Sequence, residues 1–170
     1  VAESRRLTTN PLHLDSSPTV VEGNTFELFK ACGYYPYPDV CGFRTPIHVV
    51  QSSPASAGSQ IRGNVLTSAG PCTVSIEAPA SAVEILENPV IRGEICLSGD
   101  ANHAQPAPAL LQAGWASGAL QISGTLSSAP GTAHIVELYG NDGVQSQWLD
   151  SFTVVTTSAG LAAFTWDIPS

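Results

Sequence analysis

The stretch Ser53–Asn64, SPASAGSQIRGN, is a polar corner rich in small side chains that runs into a short apolar strand and ends on asparagine. The chain repeats this pattern twice, as SPTVVEGN ending at Asn24 and as EAPASAVEILEN ending at Asn88. With the asparagines aligned, Val21, Ile61 and Ile85 each lie three residues before the Asn, and Phe26, Leu66 and Val90 each lie two after it. Leu14, Val50 and Ile76 open the three copies upstream. The last two asparagines are 88 − 64 = 24 residues apart and the first two 64 − 24 = 40, so one insertion lengthens the first interval.

A unit of about two dozen residues with short strands cannot bury its own apolar face, and it needs a copy of itself above and below. A coil with one repeat per turn meets that need: like strands pair in parallel and inward side chains stack in columns. Asparagine suits a fixed corner of such a coil. It tolerates the left-handed backbone region, and its amide can bond to the amide of the Asn in the next turn. Pro18, Pro54, Pro79 and Pro89 interrupt every window long enough for a helix. A chance likeness among Ser, Ala and Pro, or an antiparallel sandwich with similar turns, is the competing reading.

The totals fit a folded, exported β-protein. With 170 residues, 43% of them apolar, the chain can form a real core. Fourteen acidic side chains face six basic ones, with Lys30 the single lysine, so a nucleic-acid partner is excluded on charge. Apolar runs are short and broken by Gly, Ser and Pro, far below the ~20 residues of a membrane span, so no membrane insertion is expected. The absence of methionine and the start at Val1 point to a processed product or a piece of a longer chain. No N-x-S/T sequon occurs, which gives no support to a eukaryotic glycoprotein.

Four cysteines, Cys32, Cys41, Cys72 and Cys96, allow three pairings, and their even number favours disulfides in an oxidising, extracellular setting over free thiols. No pair has zinc-ligand spacing, and no metal or cofactor is expected. Cys72 and Cys96 occupy similar places in successive repeats, so a bond between them would staple two turns, leaving Cys32 and Cys41 to close the insertion at 29–46. That insertion carries Tyr34, Tyr35 and Tyr37 among prolines, a stiff loop whose aromatic faces suit sugar rings or a protein surface, or else fold back as a lid.

From Leu110 the repeat is lost. ALQISGTL, AHIVELYG, WLDSFTVVTT and LAAFTWDI are strand-like runs separated by turn-forming clusters, and Phe164, Trp166 and Ile168 alternate as on a half-buried strand. The expected fold is all-β. A short right-handed parallel β-helix of about three to four turns over 1–104 precedes a small antiparallel Ig-like β-sandwich over 105–170, which caps its end.

ALLQAGWASGALQISGTLSSAPGTAHIVELYGNDG, followed by FTVVTTSAGLAAFTWDIP, resembles the β-sandwich module that follows right-handed parallel β-helix repeats in many bacterial secreted and surface proteins. IRGNVL and GEICLSGD resemble the last helix turns before it, and the likeness covers about Ile47 to Ser170. Helices of that family usually have more turns, and its loop after the E-L-Y-type strand is longer and often carries cysteine, unlike NDGVQSQ.

Chemistry is sparse. Glycosidic cleavage needs two placed carboxylates, and a lyase needs a base with Ca²⁺ or Arg. Glu84 and Glu87 read as a solvated pair, and Asp100 with His103, in SGDANH, is the most suggestive acid and base couple. His13, His48 and His134 lie in strand-like runs, no nucleophile elbow or phosphate loop is present, and the NDG at Asn141 reads as a turn. No catalytic residue is assigned. The expected function is a non-catalytic extracellular structural or adhesive protein of a bacterial surface, whose partners are further copies, surface proteins or glycans. The alternative is a carbohydrate-binding or polysaccharide-degrading β-helix domain working through Tyr34, Tyr35 and Tyr37.

Overall fold

A computed structural model describes residues 6–7, 12–14, 19–28, 31–32, 41–42, 45–50 and 59–169. Among them the protein is all-β, with several sheets, none of them closed, and no α-helix. The strands in chain order begin with β1 (Arg6–Leu7), β2 (Leu12–Leu14), β3 (Val20–Glu22), β4 (Thr25–Leu28), β5 (Ala31–Cys32) and β6 (Cys41–Gly42). They continue with β7 (Ile47–Val50), β8 (Gln60–Arg62), β9 (Val65–Glu77), β10 (Glu84–Leu86) and β11 (Val90–Ser98). The last five are β12 (Ala109–Ala116), β13 (Ala119–Ser127), β14 (Ala133–Asn141), β15 (Ser146–Val155) and β16 (Leu161–Pro169). Two compact units result: residues 1–104 with 139–149, and residues 105–138 with 150–170.

In the first unit the asparagine-tipped segments lie over one another and run in the same direction. Strands β3, β8 and β10 have three residues each and pair in parallel, with Val21, Ile61 and Ile85 in register. After the corner, β4, β9 and β11 pair in parallel too, and β2, β7 and the second half of β9 form a further parallel ladder. Strands this short make too few bonds to persist alone, so their stability comes from the columns they complete. Phe26, Leu66 and Ile91 form one buried column, Ile47 with Val74 another, and Val49 with Ile76 a third. Each such side chain contributes roughly 1.5–3 kcal/mol relative to exposure.

The corners are joined by hydrogen bonds that run up the stack. The Oδ1 of Asn64 accepts the backbone N–H of Asn24 at 2.9 Å and its Nδ2 at 3.3 Å. The Oδ1 of Asn88 accepts the same two groups of Asn64 at 2.9 and 3.2 Å. Asn64 Nδ2 also donates to the carbonyls of Val21 and Arg62, and Asn88 Nδ2 to that of Ile61. Asn64 and Asn88 are 0% exposed, and these bonds are what make so polar a column tolerable inside.

Two expectations about the corner are corrected. The residue in the left-handed region is the one before each asparagine: Gly23 at φ 68°, Gly63 at φ 62° and Glu87 at φ 52°. In the third copy Pro89 adds a residue between the asparagine and its strand, so Val90 pairs with Val65, and Ile91 rather than Val90 joins the column of Phe26 and Leu66. A second corner divides β9, where Thr67 and Cys72 face Arg92 and Glu94 of β11 on either side of Gly93. Gly93 has φ 110°, and a Cβ there would collide with the buried Thr73 hydroxyl, which donates to the Arg92 carbonyl at 2.5 Å.

Cys72 and Cys96 are disulfide-bonded across β9 and β11, 24 residues apart in sequence. In the chain-entropy picture, closing a loop of that length contributes about 3.5 kcal/mol. Beyond β11, Ser146 and Gln147 of β15 pair antiparallel with Ile91 and Val90, and Tyr139 packs against the first unit's core. In the second unit β12, β13 and β16 form an antiparallel sheet. There Leu126, Val136, Val154 and Ala162 make a separate core with Phe152 and Phe164 against it.

Replacing Asn64 by Ala removes the acceptor of the Asn24 N–H and the donor that the Asn88 amide oxygen and the Val21 carbonyl share, so Asn64→Ala is expected to lower stability by about 2–4 kcal/mol. Asn24→Ala, at a half-buried rung, should cost about 1 kcal/mol. Urea unfolding of the two variants measures the difference, and equal effects would show that the buried rung has no special weight.

Candidate functional site

Tyr34, Tyr35 and Tyr37, the expected ligand-binding loop, lie outside the described residues. The backbone on either side of them is described: β5 and β6 pair antiparallel and set Cys32 opposite Cys41.

Asp100 and His103 form no acid–base couple. The bond between them runs from the His103 backbone N–H to the Asp100 carbonyl at 2.9 Å, and both residues are exposed. Between them Asn102 holds the turn in place, with Oδ1 accepting the Val83 N–H and Nδ2 donating to the Val83 carbonyl. Asn102, His103 and Ala104 are consecutive residues with φ near +50°, and Ala101 beneath them is fully buried. The Asn102 bonds and the buried Ala101 account for the shape of this stretch.

Glu84 and Glu87 are both exposed. Glu84 accepts a hydrogen bond from Gln60 Nε2 at 2.7 Å, a side-chain rung between parallel strands, while Glu87 occupies the left-handed corner position. His13, His48 and His134 lie on β2, β7 and β14. His13 and His48 are register partners, and His48 Nε2 sits 2.9 Å from Glu77 Oε1 on the outer surface. Among the described residues no group of three His, Cys, Asp or Glu could hold a metal ion. Nor is any helix there long and apolar enough to cross a membrane.

The arrangement best suited to a ligand is one that no sequence motif marks. On the outward face of the three-stranded sheet, Gln121 pairs with Asp167, Ser123 with Thr165, and Gln112 with Ser123. These five side chains line a hollow of about 380 Å³. Amides, hydroxyls and one carboxylate, with no cation, suit a neutral ligand rich in hydroxyls and disfavour an anion.

The NDG segment is a closed turn. Asn141 Oδ1 accepts the Gly143 N–H at 2.6 Å, and Asp142 Oδ1 accepts those of Val144 and Gln145 at 2.8 and 2.9 Å. No family model matches the chain, and no curated protein matches it either.

The hydrogen bonds from Gln145 and Val144 hold the Asp142 carboxyl below its ordinary value of 3.8. With the folded value depressed, the turn's contribution is present above the unfolded value and is lost as pH falls through the folded one. An NMR titration should place the Asp142 midpoint below 3.8, with the Val144 and Gln145 amide shifts moving together with it. A midpoint at or above 3.8 would contradict this.

Proposed function

We propose that the chain is a non-catalytic structural or adhesive module of a bacterial cell surface, exported to an oxidising compartment. In this reading the first unit is a short right-handed parallel β-helix and the second a small Ig-like β-sandwich. The observation that carries it is the buried asparagine ladder, in which Asn24, Asn64 and Asn88 bond in sequence along segments that all run the same way. Such a stack is a stiff scaffold whose outer surface is free to vary, because stability lies in the columns and rungs within. The Cys72–Cys96 bond supports an oxidising setting. The resemblance of the region from Ile47 onward to β-helix ends of bacterial surface proteins supports the place of action.

A second reading, glycan binding, draws support from the hollow lined by Gln121, Ser123, Thr165 and Asp167. Neutral sugars are recognised by such amide, hydroxyl and carboxylate groups.

Displayed on a non-adherent bacterium, the chain is expected to raise cell–cell or cell–surface attachment severalfold, with attachment lost on Asn64→Ala. Unchanged attachment by a folded, displayed chain would count against an adhesive role. Attachment that needs a particular glycan and disappears on Gln121→Ala with Asp167→Ala would assign it to the hollow.

A further inference from the structure

One outer strand of the second unit has an edge without charge. Among the described residues β12, ALLQAGWA, lies at one side of the three-stranded sheet and pairs with β13 alone. Leu110 is 60% exposed, Leu111 68% and Trp115 69%. Open edges in folded proteins are ordinarily protected by charge, proline or a covering segment. Here there is no charge to do so: from Gln105 to Val136 the chain has no Asp, Glu, Lys or Arg. A bulge at Leu111 blunts the start of the strand, but Gln112–Ala116 beyond it keeps a regular register with β13.

The register also fixes which face the apolar residues occupy. Leu110 lies opposite Gly124, Ala113 opposite Ile122 and Trp115 opposite Leu120. Gly124 and Ile122 point into the unit, so Leu110 and Trp115 stand on the inward face, yet both stay mostly exposed. Beside Leu110 the interior opens as an apolar cleft of about 160 Å³, lined also by Ile122, Val136, Phe152, Phe164 and Trp166. One end of β12 therefore carries an exposed indole and the other lies at an apolar cleft.

The geometry points to a second copy of this chain as the occupant: two β12 strands pair antiparallel about a two-fold axis, and each Trp115 enters the cleft beside the other copy's Leu110. A two-fold contact must be self-complementary, and a knob and a hole at opposite ends of one strand meet that condition when the strands run antiparallel. Charge does not stand in the way at this place: the molecule carries −8 overall, but two β12 strands meet without bringing like charges together, because residues 105–136 hold no Asp, Glu, Lys or Arg.

The area is in the right range. Leu110, Leu111 and Trp115 expose on the order of 400 Å² per copy, so two copies bring about 800 Å², and paired backbone with its flanking side chains takes the total toward the ~1,200 Å² of a stable specific interface. Pairing covers the β12 edge of both copies at once, and a two-fold contact of this kind closes at two.

The inference deepens the association in the reading above by naming its surface, and its test is separate from attachment. Sedimentation velocity over a wide concentration range should show a dimer for the whole chain. Trp115→Ala should weaken it at least about thirtyfold, as expected for an anchoring tryptophan, and Leu111→Lys should yield monomer. Val155→Lys, at an exposed apolar position on β15 rather than β12, should leave the dimer intact. All three positions are exposed, and circular dichroism verifies that each variant is folded. A wild-type chain that stays monomeric, or a dimer indifferent to Trp115→Ala and Leu111→Lys, would overturn the inference. A monomer that still promotes attachment sinks the β12 interface alone, whereas a β12-dependent dimer without attachment sinks the adhesive reading alone.

Discussion

The Asn64 side chain holds the first unit together because it does what no local turn can do there. Its carbonyl accepts both nitrogens of Asn24, while its amide reaches Asn88 and two backbone carbonyls. Strands of three residues cannot close their own corners, and Asn64 and Asn88 lie too deep for water to satisfy them. Aspartate would lack the donors and would bury a charge, whereas serine offers a single donor. Asparagine presents an acceptor on one side and two donors on the other, which is what a repeating one-directional column requires.

That requirement also explains which deviations the third copy can carry. Glu87 stands where the first two copies have glycine, at a backbone cost of about 1 kcal/mol for a side chain in the left-handed region. Pro89 lengthens the corner, yet the Asn88 carbonyl still accepts both nitrogens of Asn64. Around this copy other restraints accumulate: the disulfide to Cys72, the Asn102 bonds to Val83, and the pairing of Ser146 and Gln147 with Ile91 and Val90. A corner less well suited in its own sequence is held by partners from elsewhere in the chain.

What can be read from the sequence follows from the range of the interaction. The alignment of Val21, Ile61 and Ile85, the amide ladder and the Cys72–Cys96 staple all arise from a repeat, and a repeat is visible in one dimension. Counting from the asparagine misplaces the column after the corner in the third copy, because Pro89 shifts it by one residue, a change that only the register of Val90 with Val65 exposes. Nothing in NDGVQSQ announces that the strand after it pairs with Val90 and Ile91, since turn chemistry is local and the pairing is not. The polar hollow is hidden for the same reason. Gln121, Ser123, Thr165 and Asp167 look like any solvent face until the register sets them side by side.

The two kinds of open edge in the protein are treated differently, and the contrast bears on what each does. In the first unit the columns end at Ile95 and Leu97 of β11, which are partly exposed, but the strand carries Arg92 and Glu94 and is paired at Val90 and Ile91. Charge and partial cover there oppose the addition of a further strand. Among the described residues β12 has neither, and it sets an exposed tryptophan on the inward face of its sheet. A folded chain with so few charges gains nothing in solubility from such an edge, and small polar residues of the kind that fill the neighbouring turns would remove it at little cost to the core. Exposed Leu110, Leu111 and Trp115 on one strand, with an apolar cleft beside Leu110, are physically consistent with the edge being a contact surface, since the same residues that are a liability in isolation become buried on pairing.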